Sequence, residues 1–300
     1  KGGVWYAKGG TGALVDALAA LFQRHGGRLH AGQSVERLEM DGLRVQAAVT
    51  AEGQRFDADL VVSNADPLYV YNHWIARTVG QRLADSHRKR LKHSMGLFVL
   101  YFTTDRVYSE LEHHTIVFGE TFREILEQLF DRHELPQDLS LYLHRPGATD
   151  PSMAPDQGDA FYVLAPVPNL QGNQDWSTLS PVLEQRIVTI LSQRLMSDLP
   201  QTIRATRSIS PRYFHEALNT PHGSGFSIAP TLTQSAGLRF HNQSPRYDNL
   251  FFVGAGVHPG AGVPGVVSSA AVVERLVDRW QGQTHQAHAS RPSTVPPGSG

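Results

Sequence analysis

The stretch NLFFVGAGVHPGAGVPGVVSSAAVVERLVDRW, residues 249–280, decides how the remainder of the chain is read. Leu250, Phe251, Phe252 and Val253 form a short apolar run bounded by turn residues, the pattern of a buried strand. After Gly265, the residues Val266, Ser269, Ala270, Val273, Leu276, Val277 and Trp280 fall on one stripe at helical spacing. An apolar strand therefore feeds a helix through a loop rich in Gly and Pro. Such a loop leaves backbone N–H groups open at a helix N-terminus, where the macrodipole favours an anion.

Within this loop, Gly260-Ala261-Gly262-Val263-Pro264-Gly265 satisfies G-x-G-x-x-G, a dinucleotide-binding fingerprint. The context argues against a self-contained Rossmann site. That fingerprint opens a βαβ unit of roughly 30 residues with an acidic residue about 20 positions on. Here the helix is expected to end near Trp280, and QGQTHQAHASRPSTVPPGSG follows with neither a second strand nor an acid. Two readings stay open from the residues alone. The glycines only let strand and helix pack closely, or the loop is a secondary cofactor contact completing a site whose main phosphate-binding turn lies elsewhere.

The run Gly254 to Gly265 resembles the C-terminal signature of the bacterial-type phytoene desaturases, carotenoid-forming flavoproteins whose pattern is an apolar strand, then G-A-G-T-H-P-G-A-G-I-P-G and a small-residue helix. Lys8-Gly9-Gly10-Thr11-Gly12-Ala13-Leu14, Ser63-Asn64-Ala65-Asp66, Phe98-Val99-Leu100-Tyr101-Phe102, Ser140-Leu141-Tyr142-Leu143-His144, Tyr162-Val163-Leu164-Ala165-Pro166-Val167-Pro168 and Leu232-Thr233-Gln234-Ser235-Ala236 also match that family, in order, from about residue 4 to 280. Two departures stand out. Val257 replaces the usual Thr, which removes a hydroxyl. The βαβ unit with which family members begin has no counterpart, so the chain looks like roughly the C-terminal three-fifths of such an enzyme and is expected to bind FAD weakly or not at all and to be inactive alone.

The resemblance implies an α/β fold: a partial glutathione-reductase-like FAD domain with an inserted substrate domain of mixed β-sheet plus helices. The boundaries expected are 1–70 for the FAD-domain part, 71–244 for the substrate and helical domain, 245–282 for the C-terminal strand-loop-helix, and 283–300 for a disordered tail. It implies FAD as cofactor, held by Val35, Asn64, Gly254, Ala255, Gly256, His258, Pro259, Gly260, Gly262, Val263, Pro264, Gly265 and Val266. Val35 would offer its backbone to the adenine. The implied reaction is stepwise desaturation of phytoene, a long apolar polyene precursor, toward lycopene. Alternatives are a non-catalytic fragment or apolar-ligand binder without flavin, and a carotenoid isomerase or other amine-oxidase-like flavoprotein.

Composition agrees with a soluble globular chain. Three hundred residues with 40% hydrophobic content suffice for one large or two ordinary domains. Basic and acidic residues number 27 and 28, so no overall field points to nucleic acid. The absence of cysteine excludes disulfides, thiolate metal sites and thiol catalysis. The sequence has neither an apolar run of spanning length nor an apolar signal segment in KGGVWYAKGG, so a cytoplasmic, peripherally membrane-associated location is expected. The cations Arg88, Lys89, Arg90 and Lys92 offer either a solvated helix face or a contact for anionic lipid.

In chain order, Thr11 is a plausible cap for a helix whose buried stripe is Leu14, Leu18, Leu21 and Phe22, stopped by Gly26-Gly27. Short strands follow at Arg28–His30, Ser34–Leu38, Val45–Val49 and Asp59–Ser63. Candidate strands of one mixed sheet lie at 97–102, 115–118, 139–143, 160–164 and 204–209, interrupted by helices over 121–133 and 179–199. One face of that sheet could wall an apolar tunnel or be an ordinary core.

Of fifteen histidines, the pair His113-His114 and the pair His285/His288 lack carboxylate partners at ligand spacing, so no metal is expected. Neither G-x-S-x-G nor a P-loop is present. Desaturation needs a hydride acceptor, which no side chain provides. His258, the one titratable side chain of the loop, is either a flavin contact or a loop brace. The catalytic residue stays unassigned.

Overall fold

The computed structural model describes residue 3 and residues 5–75 and 91–289. In chain order, helix α1 (Gly10–Arg24) precedes strands β1 (Val35–Asp41), β2 (Arg44–Thr50), β3 (Arg55–Asp57) and β4 (Val61–Ser63). Then come β5 (Gly96–Thr104), β6 (His114–Val117), helix α2 (Phe122–Glu127), β7 (Leu141–His144), β8 (Asp159–Val167), helix α3 (Trp176–Arg194) and β9 (Ile203–Ile209). Strand β10 (Leu250–Phe252) and helix α4 (Val263–Ala289) close the order. The fold is α/β, and contacts divide it into two compact units: residues 1–33 with 92–229, and residues 34–91 with 230–300. The divisions fall at 33/34, 91/92 and 229/230, whereas boundaries were expected at 70/71, 244/245 and 282/283.

The first unit is a five-stranded sheet ordered β6-β7-β8-β5-β9. Every neighbouring pair is antiparallel, which corrects the expected mixed sheet. β6, β7 and β8 follow one another in both sequence and space, so each connection returns the chain to the sheet running the opposite way. β8 alternates strictly between buried and half-buried residues. Its buried side, with Phe98, Leu100, Phe102, Leu141 and Leu143, packs on Leu183, Ile187 and Leu191 of α3 in one core. That face is an ordinary core. Helix α3 begins three residues before the expected Leu179, because the Asp175 side chain accepts from the Ser177 N–H at 3.0 Å and caps it. It ends at Arg194, and a separate turn follows at Leu199–Thr202.

Helix α1 departs from expectation on its apolar stripe. Leu14, Leu18, Leu21 and Phe22 are 41%, 54%, 43% and 49% exposed, and only Gly10 of the helix is buried. Gly9 rather than Thr11 precedes its first turn, with the Gly9 N–H donating to Asp150 Oδ2 at 2.7 Å. Residues 28–30 form no strand.

The second unit holds an antiparallel sheet β1-β2-β3 and a parallel pair β10-β4. Leu38, Val45, Val70, Tyr71, Leu250, Phe252 and Val257 form its core. Asn249 joins the two sheets. Fully buried, it accepts from Val45 N–H at 2.8 Å and donates to the carbonyls of Val45 and Asp59 at 2.8 and 2.9 Å. Every polar atom of its amide is thereby answered, as burial demands. Helix α4 runs to Ala289, past the end expected near Trp280 and into the segment expected to be disordered from 283. The residues after Trp280 are mostly Gln, His and Ala, which tolerate a helix, and the single Gly282 costs too little to stop one.

Candidate functional site

The two parallel strands of the second unit end together. Leu250, Phe251 and Phe252 pair with Val61, Val62 and Ser63, so the next turns, at Gly254 and Asn64, leave the sheet side by side. Ligands of open α/β sheets bind outside the carboxyl ends of parallel strands. Gly254 has φ 100°, and a Cβ there would lie 2.3 Å from Asn64 Oδ1. Its N–H donates to Ser269 Oγ at 2.9 Å, which ties the loop to α4.

The loop is braced from beneath by two polar side chains. Arg239, 6% exposed, donates from Nε to the Val257 carbonyl at 3.2 Å and from Nη2 to the Ala255 carbonyl at 2.5 Å. Burial pulls its guanidinium below the ordinary arginine range, and the nearby Asp66 charge opposes this. A trans peptide sets its N–H opposite its C=O, so the Gly256 N–H points away from Arg239. Asn242 donates to the carbonyls of Phe252 at 3.2 Å and His258 at 2.9 Å.

The glycines divide by role. A Cβ on Gly265 would meet the Gly260 carbonyl oxygen at 2.7 Å, so that glycine serves close packing. Gly262 differs: its φ is 92°, and a Cβ would meet nothing within 4 Å. The first bond of α4 runs from Val266 N–H to the Gly262 carbonyl at 2.9 Å, leaving the preceding N–H groups outside the helical ladder. Open space over a left-handed glycine beside a helix N-terminus is a cradle that fits an anionic diphosphate.

Other expected residues sort as follows. Val257 is fully buried in the core of this unit, where an apolar side chain suits. His258 is exposed and borders a groove of about 540 Å³ with His241, Val272 and Leu276, while its backbone is the braced part. Pro259, Ala261, Val263 and Pro264 are exposed. Asn64 stands against the loop, whereas Val35 begins β1 opposite Thr50, on the separate three-stranded sheet. Arg239, Asn242 and Ser269 were not singled out by sequence. Ser269 carried a signal, since a polar residue on an apolar stripe needs a buried partner. Arg239 and Asn242 lie between β9 and β10, where Pro211, Pro221, Gly223, Gly225 and Pro230 break the sequence and no periodicity marks them.

The first unit carries a different surface. Across β6, β7, β8 and β5, His114 opposes His144, His144 opposes Tyr162, and Tyr162 opposes Tyr101. These residues line one row on the face away from the core. Ring centroids are 4.6 Å apart for His144 and Tyr162 and 6.0 Å for Tyr101 and Tyr162. Burial raises the Tyr162 and Tyr101 phenols above their ordinary value, so both stay uncharged. Burial, aided by the His113 and His114 imidazoles, brings His144 down to about 4.

Of the basic cluster, Arg88, Lys89 and Arg90 lie outside the described residues. Lys92 is exposed and 3.8 Å from Asp131. Among the described residues, no helix is long and apolar enough to cross a membrane.

A family profile described as "Flavin containing amine oxidoreductase" matches residues 1–272. A lycopene-forming phytoene desaturase of Pseudescherichia vulneris is 46% identical over 279 residues, which are 92% of this chain and 56% of that protein. One from Paracoccus sp. strain N81106 is 42% identical over 279 residues with the same coverage. The chain thus spans about half the length of the curated relatives it matches. An oxidoreductase from Methanosarcina mazei superposes with a TM-score of 0.59 at 18% identity, covering 89% of this chain and 55% of the other, and shares its fold.

Proposed function

The chain belongs to the flavin-containing amine oxidoreductase family, and from that premise we propose that it is part of an FAD-dependent desaturase that converts phytoene to more unsaturated carotenes. The observation that carries this reading is the cradle at Gly262. Positive φ, vacant space over the glycine and the open end of α4 stand together in the loop that follows the carboxyl end of β10. We read the second unit as belonging to a glutathione-reductase-like FAD domain, with Asn64 and the loop from Gly254 to Val266 against the cofactor.

When bound, FAD supplies the hydride acceptor that the side chains lack. The chain's own residues bind and orient. Arg239 holds the Ala255 carbonyl inward, which turns the Gly256 N–H outward, and Asn242 fixes the His258 carbonyl in place. The N-terminus of α4 stabilises negative charge placed before it. In the first unit, Tyr101, Tyr142 and Tyr162 present aromatic ring faces suited to an extended hydrocarbon, which fits the polyene substrate.

A C40 hydrocarbon is insoluble in water, so the enzyme collects it at a membrane surface, by peripheral contact. The cations Arg88, Lys89 and Arg90 are the residues proposed for anionic headgroups, each contributing about 1 kcal/mol near such a surface. Lys92 contributes less, being already paired with Asp131.

The test is conversion. Expressed from its natural reading frame and supplied with FAD and phytoene in liposomes, the enzyme should yield coloured carotenes resolved by chromatography. Flavin-loaded protein that leaves phytoene untouched would overturn the substrate assignment.

A further inference from the structure

Three histidines of the first unit converge where sequence spacing shows only two. His113 and His114 adjoin in sequence, and strand pairing brings His144 of β7 opposite His114. Successive strand residues face opposite ways. His113 precedes β6, however, and its ring lies on the same side as the others. Centroids are 4.4 Å from His114 and 4.7 Å from His144. One nitrogen from each ring lies within 4.8 Å of the other two.

Two of the rings are also oriented from outside. His113 Nδ1 is hydrogen-bonded to Thr149 Oγ1, and His114 Nδ1 to the Tyr142 hydroxyl at 2.7 Å. His144 Nδ1 is enclosed without a partner among the described residues, so Nε2 is its nitrogen facing the cluster, 2.8 Å from His113 Nε2. Histidines that ligate metals are commonly held this way, one ring nitrogen on an outer hydrogen bond and the other toward the ion. Arg145, next along the chain, sends its guanidinium to Asp159 at 2.9 Å and the Leu111 carbonyl at 2.8 Å, so its charge is satisfied elsewhere.

We propose that His113, His114 and His144 form a site for one divalent zinc-class ion at the β6–β7 edge. Three neutral imidazoles with no thiolate or carboxylate suit zinc, cobalt, nickel or copper rather than magnesium or calcium. Three ligands leave a fourth tetrahedral position for a water molecule, on a cluster whose His113 packs against the Tyr6 ring at 4.5 Å. At zinc–nitrogen bonds of about 2.0–2.1 Å, the ligand nitrogens sit roughly 3.3 Å apart. Small ring rotations reach this from the present spacing. Without the ion, one of the facing Nε2 atoms of His113 and His144 carries a proton. On binding, that proton leaves or moves to the ring's other nitrogen, and both lone pairs turn to the metal.

The chain contains other histidines, so binding alone does not test the site; comparison of variants does. The chain, freed of metal, is titrated with Zn²⁺ by calorimetry and with Co²⁺ by visible absorption, and its melting temperature is followed with and without Zn²⁺. Expected are one tight Zn²⁺ equivalent, tetrahedral Co²⁺ bands and a raised melting temperature. All three should be lost in His114→Ala, whose exposed side chain the fold does not need. Tyr142→Phe, which removes an outer hydrogen bond, should weaken Zn²⁺ by about tenfold or more. Unchanged Zn²⁺ affinity in His114→Ala, or wild-type protein without Co²⁺ bands, would overturn the proposal.

Discussion

Gly262 and Gly254 both have positive φ, yet they are expected to fail differently when substituted. At Gly262 an added Cβ meets no atom within 4 Å, so Gly262→Val carries a backbone cost on the order of 1–3 kcal/mol but blocks the cradle. The expected product is folded protein without the flavin absorbance band. At Gly254 even alanine collides with Asn64, so Gly254→Ala should lower the melting temperature as well as flavin content. His93 offers a pH prediction. It is 8% exposed, its ring faces His222 at 4.6 Å, and burial brings it from 6.5 to about 4, with His222 adding to the shift. Between these values the unfolded chain binds a proton that the folded chain refuses, so stability falls as pH drops through that window. At about pH 5 the loss is about 2 kcal/mol. Urea unfolding at pH 7 and 5 should show it, and His93→Gln should flatten that part of the dependence. A variant with the same pH slope would place the titration elsewhere.

Helices α1 and α3 both carry apolar stripes, but only one is buried. Leu183 of α3 is fully enclosed by the sheet core, so Leu183→Ala should cost about 2–5 kcal/mol. Leu18 of α1 is 54% exposed, and Leu18→Ser should change stability by no more than about 0.5 kcal/mol. Chemical denaturation of the two variants would compare them directly, and a large loss at Leu18 would mean that its stripe is covered in solution. Periodicity located both helices because it reports a stripe; it does not report what lies against it. The same limit applies to the sheet. Its strands were legible from apolar runs, while their antiparallel order, and hence the row His114, His144, Tyr162 and Tyr101, depends on pairings between distant segments.

At the scale of the whole molecule, each unit has its own apolar core, one around Phe98 and Leu183 and one around Leu250 and Phe252. Separate cores favour unfolding in more than one step. Leu183→Ala should therefore speed hydrogen exchange in β5 and β8 while leaving Leu250 to Phe252 protected, and uniform acceleration would show a single cooperative unit. The residues alone determined the α/β class and the succession of strand, glycine-rich loop and helix from residue 249 on. Those properties follow from local patterns: apolar runs, helical spacing, and the backbone freedom of glycine. Only the tertiary structure decided that Asn64 stands beside Gly254, that Arg239 braces Ala255 and Val257, and that His144 joins His113 and His114. Each of these joins residues that no local period connects, since strand pairing and burial bring together side chains whose separation along the chain carries no signal.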